Sequence, residues 1–205
     1  MSLFFSLLIL LISLIIHEFS HAYSALLFGD DTAKKLGRLT LNPFRHLDVV
    51  GSVLLPLSMY LFQSPCLFGW AKPVPVNFSA LNPYRKAVFW VAFSGPLSNF
   101  ILAMLALFLI TYFQLSAGLF FSFFLLVFYL NIILFVFNLL PFPPLDGFKI
   151  FSLFFPRSWT SFLLKYERWG LIFFFVAFYF SFLDWIFYIP AFLYSYFGDL
   201  FSMQF

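Results

Sequence analysis

Long apolar runs alternate with short polar, basic or proline-rich stretches along this chain. The first run, Leu3 to Phe28, is interrupted by His17, Glu18 and His21. It exceeds the ~20 residues that cross a hydrocarbon core as a helix, which predicts a membrane span. No basic residue precedes it, so it reads as a retained helix and not as a secretory signal. A polar, basic stretch over 29–45 follows. The second run, Leu47 to Phe62, is short and contains Gly51 and Pro56, which weaken a helix interior. A proline-rich segment leads to two strong runs, Ala87–Phe113 and Gly118–Leu140, joined by Gln114-Leu-Ser-Ala117. Pro141-Phe-Pro-Pro-Leu-Asp-Gly147 breaks the pattern and opens a mixed region. A last run begins near Trp169 and reaches about Ile189, and the aromatic tail Pro190–Phe205 reads as a short final helix at or in the interface. No internal repeat is visible.

Composition sharpens this reading. Of the 205 residues 63% are hydrophobic and only 9% charged, against about 25% charged in soluble domains. A soluble globular protein, a nucleic-acid binder and a disordered chain are all excluded. The length allows about 4–6 crossings at ~20 residues each and leaves no room for a sizeable extramembrane domain. The expected fold is an all-α polytopic membrane protein forming one domain over 1–205, with a core over 1–150 and a C-terminal helical segment over 151–205. A single cysteine, Cys66, excludes an internal disulfide.

The charges set a topology. All 11 Lys and Arg residues lie within 29–45, 72–86 and 149–168, and none lies in 114–117. Basic loops stay cytoplasmic. If 47–62 spanned the bilayer, the first two basic loops would face opposite sides. If it dips in and returns, every cation is cytoplasmic, so a re-entrant segment is expected. Such backbone is tolerated at membrane depth only inside protein or beside a wet cavity. A small β-hairpin-like element at the cytoplasmic membrane surface is also expected, from the extended segments Gly37-Arg-Leu-Thr-Leu41 and Pro73-Val-Pro-Val76.

His17-Glu18-Phe19-Ser20-His21 carries the chemistry. Residues four apart on a helix lie nearly above one another, so both imidazoles reach one metal while Glu18 meets its water. Zinc in that place polarises a carbonyl and lowers the pKa of the water. Ionisable groups at membrane depth cost about 2.5–3.5 kcal/mol each even on insertion scales, so three on one turn point to function. The competing reading is a polar turn at the headgroups. A catalytic zinc site takes three protein ligands, and the third must come from elsewhere. The acidic candidates are Asp30, Asp31, Asp48, Asp146, Asp184 and Asp199. Asp146 stands apart, because Pro141, Pro143 and Pro144 stop the helix and hold the chain extended while Gly147 permits a tight turn. An ordinary helix exit has the same make-up. Following the spans with a re-entrant 47–62 brings Asp146 to the same side as the histidines; a full crossing puts it about 30 Å away.

Together these residues resemble the site-2 protease family of intramembrane zinc metalloproteases in its short bacterial form. The resemblance rests on His17 to His21, Leu41-Asn-Pro-Phe-Arg-His-Leu-Asp48, Gly69-Trp-Ala-Lys-Pro-Val-Pro-Val-Asn77, Ser94-Gly-Pro-Leu-Ser-Asn99 and Asn138 through Gly147. It implies one Zn2+ per chain held by His17, His21 and Asp146, Glu18 as general base, and transmembrane proteins as substrates. It further implies a multi-pass protein of a bacterial inner membrane, partnered by the lipid bilayer and not by nucleic acid. Asn138 is expected to donate to substrate or an oxyanion, or else to cap a broken helix end. Asn99 is expected to line the cavity or to join helices by hydrogen bonds. His46 is expected to be structural.

Two other functional classes use the same polar residues. A transporter builds ion paths from them, but paired repeats with broken helices are not seen. A catalytically silent scaffold that holds membrane clients needs no base, and Glu18 argues against it.

Overall fold

The computed structural model describes residues 3–62, 72–156, 176 and 180–202. Lipid offers no hydrogen-bond partners, so a membrane helix turns its polar atoms inward. Helix α1 (Leu3–Leu27) does so: Ser13, His17, His21 and Ser24 form one buried stripe, while Phe5, Leu8, Ile12 and Leu27 are exposed. Helices α4 (Tyr84–Tyr112) and α5 (Gly118–Asn138) are, with α1, long and apolar enough to cross a membrane. Numbering between them counts the short α2 (Thr32–Lys35) and α3 (Leu55–Leu61).

Helix α4 is the hub. It packs against α1, α5, α6 (Asp146–Ser152) and α7 (Ile189–Ser202). Its buried face carries Ala87, Ala92, Gly95, Ala103 and Ala106, small residues that let helix backbones approach closely. Larger side chains fill the seams: Leu81, Val88 and Val91 against α1, and Leu107, Phe128 and Ile132 between α4 and α5.

Helices α1 and α4 run antiparallel, since His21 bonds to Val91 and His17 to Asn99. The Asn82 N–H donates to the Phe28 carbonyl at 3.1 Å, so the excursion over 29–83 leaves and returns at one place. Asp30 anchors its start. Burial pushes the Asp30 carboxyl up, but bonds from the Thr32 hydroxyl and the Thr32 and Asn77 N–H groups, with the Lys35 charge, outweigh this and hold it below the usual value.

One sequence expectation changes among the described residues. No strand forms among the described residues, so the β-hairpin-like element gives way to an extended segment held by side chains. Pro73 and Pro75 have no N–H to give a ladder; the Val74 N–H goes to Glu18 and the Asn77 N–H to Asp30. The Lys72 and Pro73 carbonyls accept from Arg38, and only the Lys72 N–H reaches other backbone, at His46. The run over 47–62 becomes a π-helical stretch, Val49–Leu54, of six residues and α3 of seven, about 20 Å in all against the ~30 Å of a hydrocarbon core. Among the described residues three helices are candidate spans, where about 4–6 were expected for the whole chain. The expected run from Trp169 to Ile189 falls mostly outside the described residues and ends in a turn and a 3-10 stretch, Asp184–Tyr188. Cys66, Gly69 to Ala71, Arg157, Lys165, Glu167 and Arg168 also lie outside them.

Candidate metal centre

The one-turn spacing of His17 and His21 sets their rings edge to face on the inner face of α1, with centroids 4.6 Å apart and planes at 83°. The third group arrives from 125 residues further along the chain. Pro141 lacks the N–H that would continue α5, and the chain turns through Pro143 and Pro144 into α6, whose first residue is Asp146. Gly147 makes this return possible by close approach and not by a special backbone angle: a Cβ there would overlap the carbonyls of Leu139 and Leu140. Asp146 is thereby drawn back against the bundle with 5% of its surface exposed. Among the described residues, these three form the group of His, Cys, Asp and Glu side chains able to share one cation.

Their donor atoms form a near-equilateral triangle. His17 Nε2 and His21 Nε2 are 3.0 Å apart, and Asp146 Oδ2 lies 3.1 Å from the first and 3.0 Å from the second. Tetrahedral ligands at the usual zinc bond lengths stand roughly 3.3 Å apart, within a few tenths of this triangle. The protons settle whether a cation fits. His17 Nδ1 lies 2.6 Å from Asn99 Oδ1, and His21 Nδ1 lies 2.6 Å from the Val91 carbonyl. Both partners are acceptors, so in neutral rings both Nδ1 atoms donate and both Nε2 atoms are bare. Two imidazole lone pairs and a carboxylate oxygen then face one another, an arrangement that a divalent cation satisfies. Lys149 donates to the other carboxylate oxygen, Asp146 Oδ1, at 2.9 Å and leaves Oδ2 to the cluster.

Glu18 is half-buried beside this triangle. Its Oε2 accepts the Val74 N–H at 2.7 Å, the one backbone donor between two prolines. The extended segment thus orients Glu18. Asn99 has no exposed surface; Oδ1 serves His17 and Nδ2 serves Asn131 at 2.9 Å, so it supports a ring and does not line open space. Asn138 turns its amide back to the Leu134 carbonyl, one turn earlier on α5. His46 is buried and its Nε2 donates to the Thr40 carbonyl, a structural bond away from the cluster.

Sequence reasoning missed three contributors. Gly95 lies against the rings, where a Cβ would overlap His21 and come within 2.7 Å of His17 Cε1. Lys149 was counted only as a charge. Asn131 was passed over, although an amide in mid-helix of an otherwise apolar run is itself a signal for a buried interhelical bond.

A buried cluster of two imidazoles and a carboxylate, flanked by a second carboxylate and set among membrane-length helices, has the make-up of a membrane metallopeptidase centre. Comparison with known proteins gives the family. The model of Peptidase family M50 matches residues 114–181. The Bacillus subtilis (strain 168) protein named "Putative zinc metalloprotease YwhC" is 42% identical over 178 residues, 82% of this chain and 77% of the relative. Rip2 proteins carrying the same description are 31% identical in Mycolicibacterium smegmatis and 36% in Mycobacterium tuberculosis, over 79% and 67% of this chain. The matches span 61% and 52% of those longer relatives. No solved structure gives a significant match. The chain belongs to peptidase family M50, the site-2 protease family, and is a zinc-dependent intramembrane peptidase.

Proposed function

We propose that the chain hydrolyses peptide bonds in or near transmembrane segments of other membrane proteins, with His17, His21 and Asp146 holding zinc and Glu18 acting as general base. The observation that carries this reading is the meeting of two bare imidazole nitrogens and a carboxylate oxygen at 3.0–3.1 Å. When bound, zinc supplies a Lewis acid for the scissile carbonyl and acidifies a water. Glu18 takes the water's proton on its carboxylate and returns it to the leaving amine. The Val74 N–H on Oε2 fixes where that carboxylate stands. A substrate helix hides its peptide bonds in i to i−4 hydrogen bonds and must unwind locally before attack.

Substrates enter from a bacterial inner membrane, with the basic residues of 29–45 and 72–86 on the cytoplasmic face. The bond from Asn82 to Phe28 supports one face for both loops, because it closes the excursion on itself. Residues 47–62 dip into the bilayer and return, screening the centre from lipid while water enters from the cytoplasm.

The test compares zinc content and cleavage of a transmembrane reporter by wild type and Glu18→Gln. The variant is expected to keep its zinc and lose about 100-fold or more in rate, the scale of general-base catalysis. Undiminished cleavage by a zinc-loaded variant would remove Glu18 from the mechanism. Zinc uptake into vesicles, or client capture indifferent to Glu18, would favour the transporter or the scaffold.

A further inference from the structure

Behind His17 lies a row of buried polar groups, each hydrogen-bonded to the next. Asn131 of α5 and Asn99 of α4 are both fully buried, and Ser13 of α1 nearly so. The Asn131 amide nitrogen donates to Ser13 Oγ and to the Val127 carbonyl, both at 2.9 Å. A carbonyl only accepts, so this end of Asn131 must be the nitrogen and Oδ1 must face Asn99. Asn99 therefore presents Nδ2 to Asn131 at 2.9 Å, with the Ser13 carbonyl at 3.5 Å as a second acceptor. Its Oδ1 is left for His17 Nδ1 at 2.6 Å. Each amide orientation follows from the one before, and the last fixes the proton on His17 at Nδ1.

We propose that Asn131 is a positioning residue for the metal centre: acting through Asn99, it sets the tautomer that leaves His17 Nε2 bare. The proposal rests on His17 being a zinc ligand. Without Asn131, the Asn99 Nδ2 loses its short acceptor and the amide is free to turn over. A reversed amide offers N–H to His17 Nδ1, the ring proton moves to Nε2, and it then points at Asp146 Oδ2 and His21 Nε2 where the cation belongs. Partners of this kind change metal affinity by about 10–100-fold. A residue that merely packs α5 against α4 would change stability and leave the tautomer alone.

The chain has only 3 histidines, so nitrogen NMR of the 15N-histidine-labelled, metal-free protein, at a pH high enough to keep the rings neutral, resolves the tautomer of each ring. Wild type is expected to show the Nδ1–H form at His17 and at His21, where Val91 holds the proton. His46, donating from Nε2 to Thr40, supplies the opposite tautomer as an internal reference. Asn131→Leu is expected to bring the Nε2–H form to His17 alone and to weaken zinc binding in chelator competition by about 10–100-fold. Asn131→Asp keeps an acceptor toward Asn99 in either protonation state and is expected to preserve the wild-type tautomer and affinity. An Nε2–H ring at His17 in wild type overturns the proposal, and that reading needs no variant. So does a folded Asn131→Leu protein with unchanged tautomer and affinity, even if its melting point falls. A wild-type protein that binds no zinc refutes the metal assignment instead, whatever the tautomers show.

Discussion

Gly95→Ala tests whether the two imidazoles are held where they are by the absence of one carbon. The added Cβ would lie 2.6 Å from His21 Cε1 and 2.7 Å from His17 Cε1, and would overlap His21 Nε2. Carbon atoms in contact stand about 3.5–4.0 Å apart, so each ring must retreat by roughly 1 Å or α4 must withdraw from α1. Metal-ligand distances tolerate about 0.2 Å. The overpacking itself costs about 1–3 kcal/mol, which a folded membrane bundle survives. The expected variant is therefore folded, with zinc affinity reduced by more than about 100-fold, beyond the usual cost of a lost outer partner. The assay is zinc per chain after gel filtration in detergent against a graded chelator, with reporter cleavage measured on the same fractions. Wild-type zinc content and cleavage in Gly95→Ala would refute the claim that ring placement depends on this contact.

Other changes follow from single contacts. Asp146→Ala removes one of three donors and is expected to abolish stoichiometric zinc binding by the same chelator assay. Lys149→Met frees Asp146 Oδ1 from its 2.9 Å bond and is expected to weaken zinc by about 10-fold, at the low end for an outer partner. Val74→Pro deletes the N–H that holds Glu18 Oε2 and is expected to lower cleavage without lowering zinc content. Asp30 has a depressed folded-state pKa, so its contribution is complete above the unfolded value near 3.8 and fades as pH falls through the lower folded value. Asp30→Asn is accordingly expected to be less stable by about 1.5–3 kcal/mol at neutral pH, and thermal unfolding should show the gap narrowing below about pH 4.

The centre was largely legible because membranes make polarity expensive. His17, Glu18 and His21 share one turn of an otherwise apolar run, and Asp146 follows three prolines that break the chain between α5 and α6, so few other residues compete for the same chemistry. The three strong apolar runs mark α1, α4 and α5 for the same reason. What the pattern concealed is set by contact and not by periodicity. Gly95 and Gly147 matter for the atoms that lie where their side chains would be. The segment 72–77 has the alternation of a strand, yet two prolines lack N–H groups and Glu18, Asp30 and Arg38 take the Val74 and Asn77 N–H groups and the Lys72 and Pro73 carbonyls. Asn131 is one of the few polar positions in α5, and only the three-dimensional row from Ser13 to His17 reveals what its orientation controls.

The most direct test of the account is the zinc absorption-edge fine structure of the purified wild-type protein. The expected shell is one zinc per chain with nitrogen and oxygen neighbours at about 2.0–2.2 Å, two of the nitrogens showing the multiple scattering of imidazole rings. A sulfur neighbour at about 2.3 Å, from Cys66, or a shell with no imidazole contribution, would contradict it.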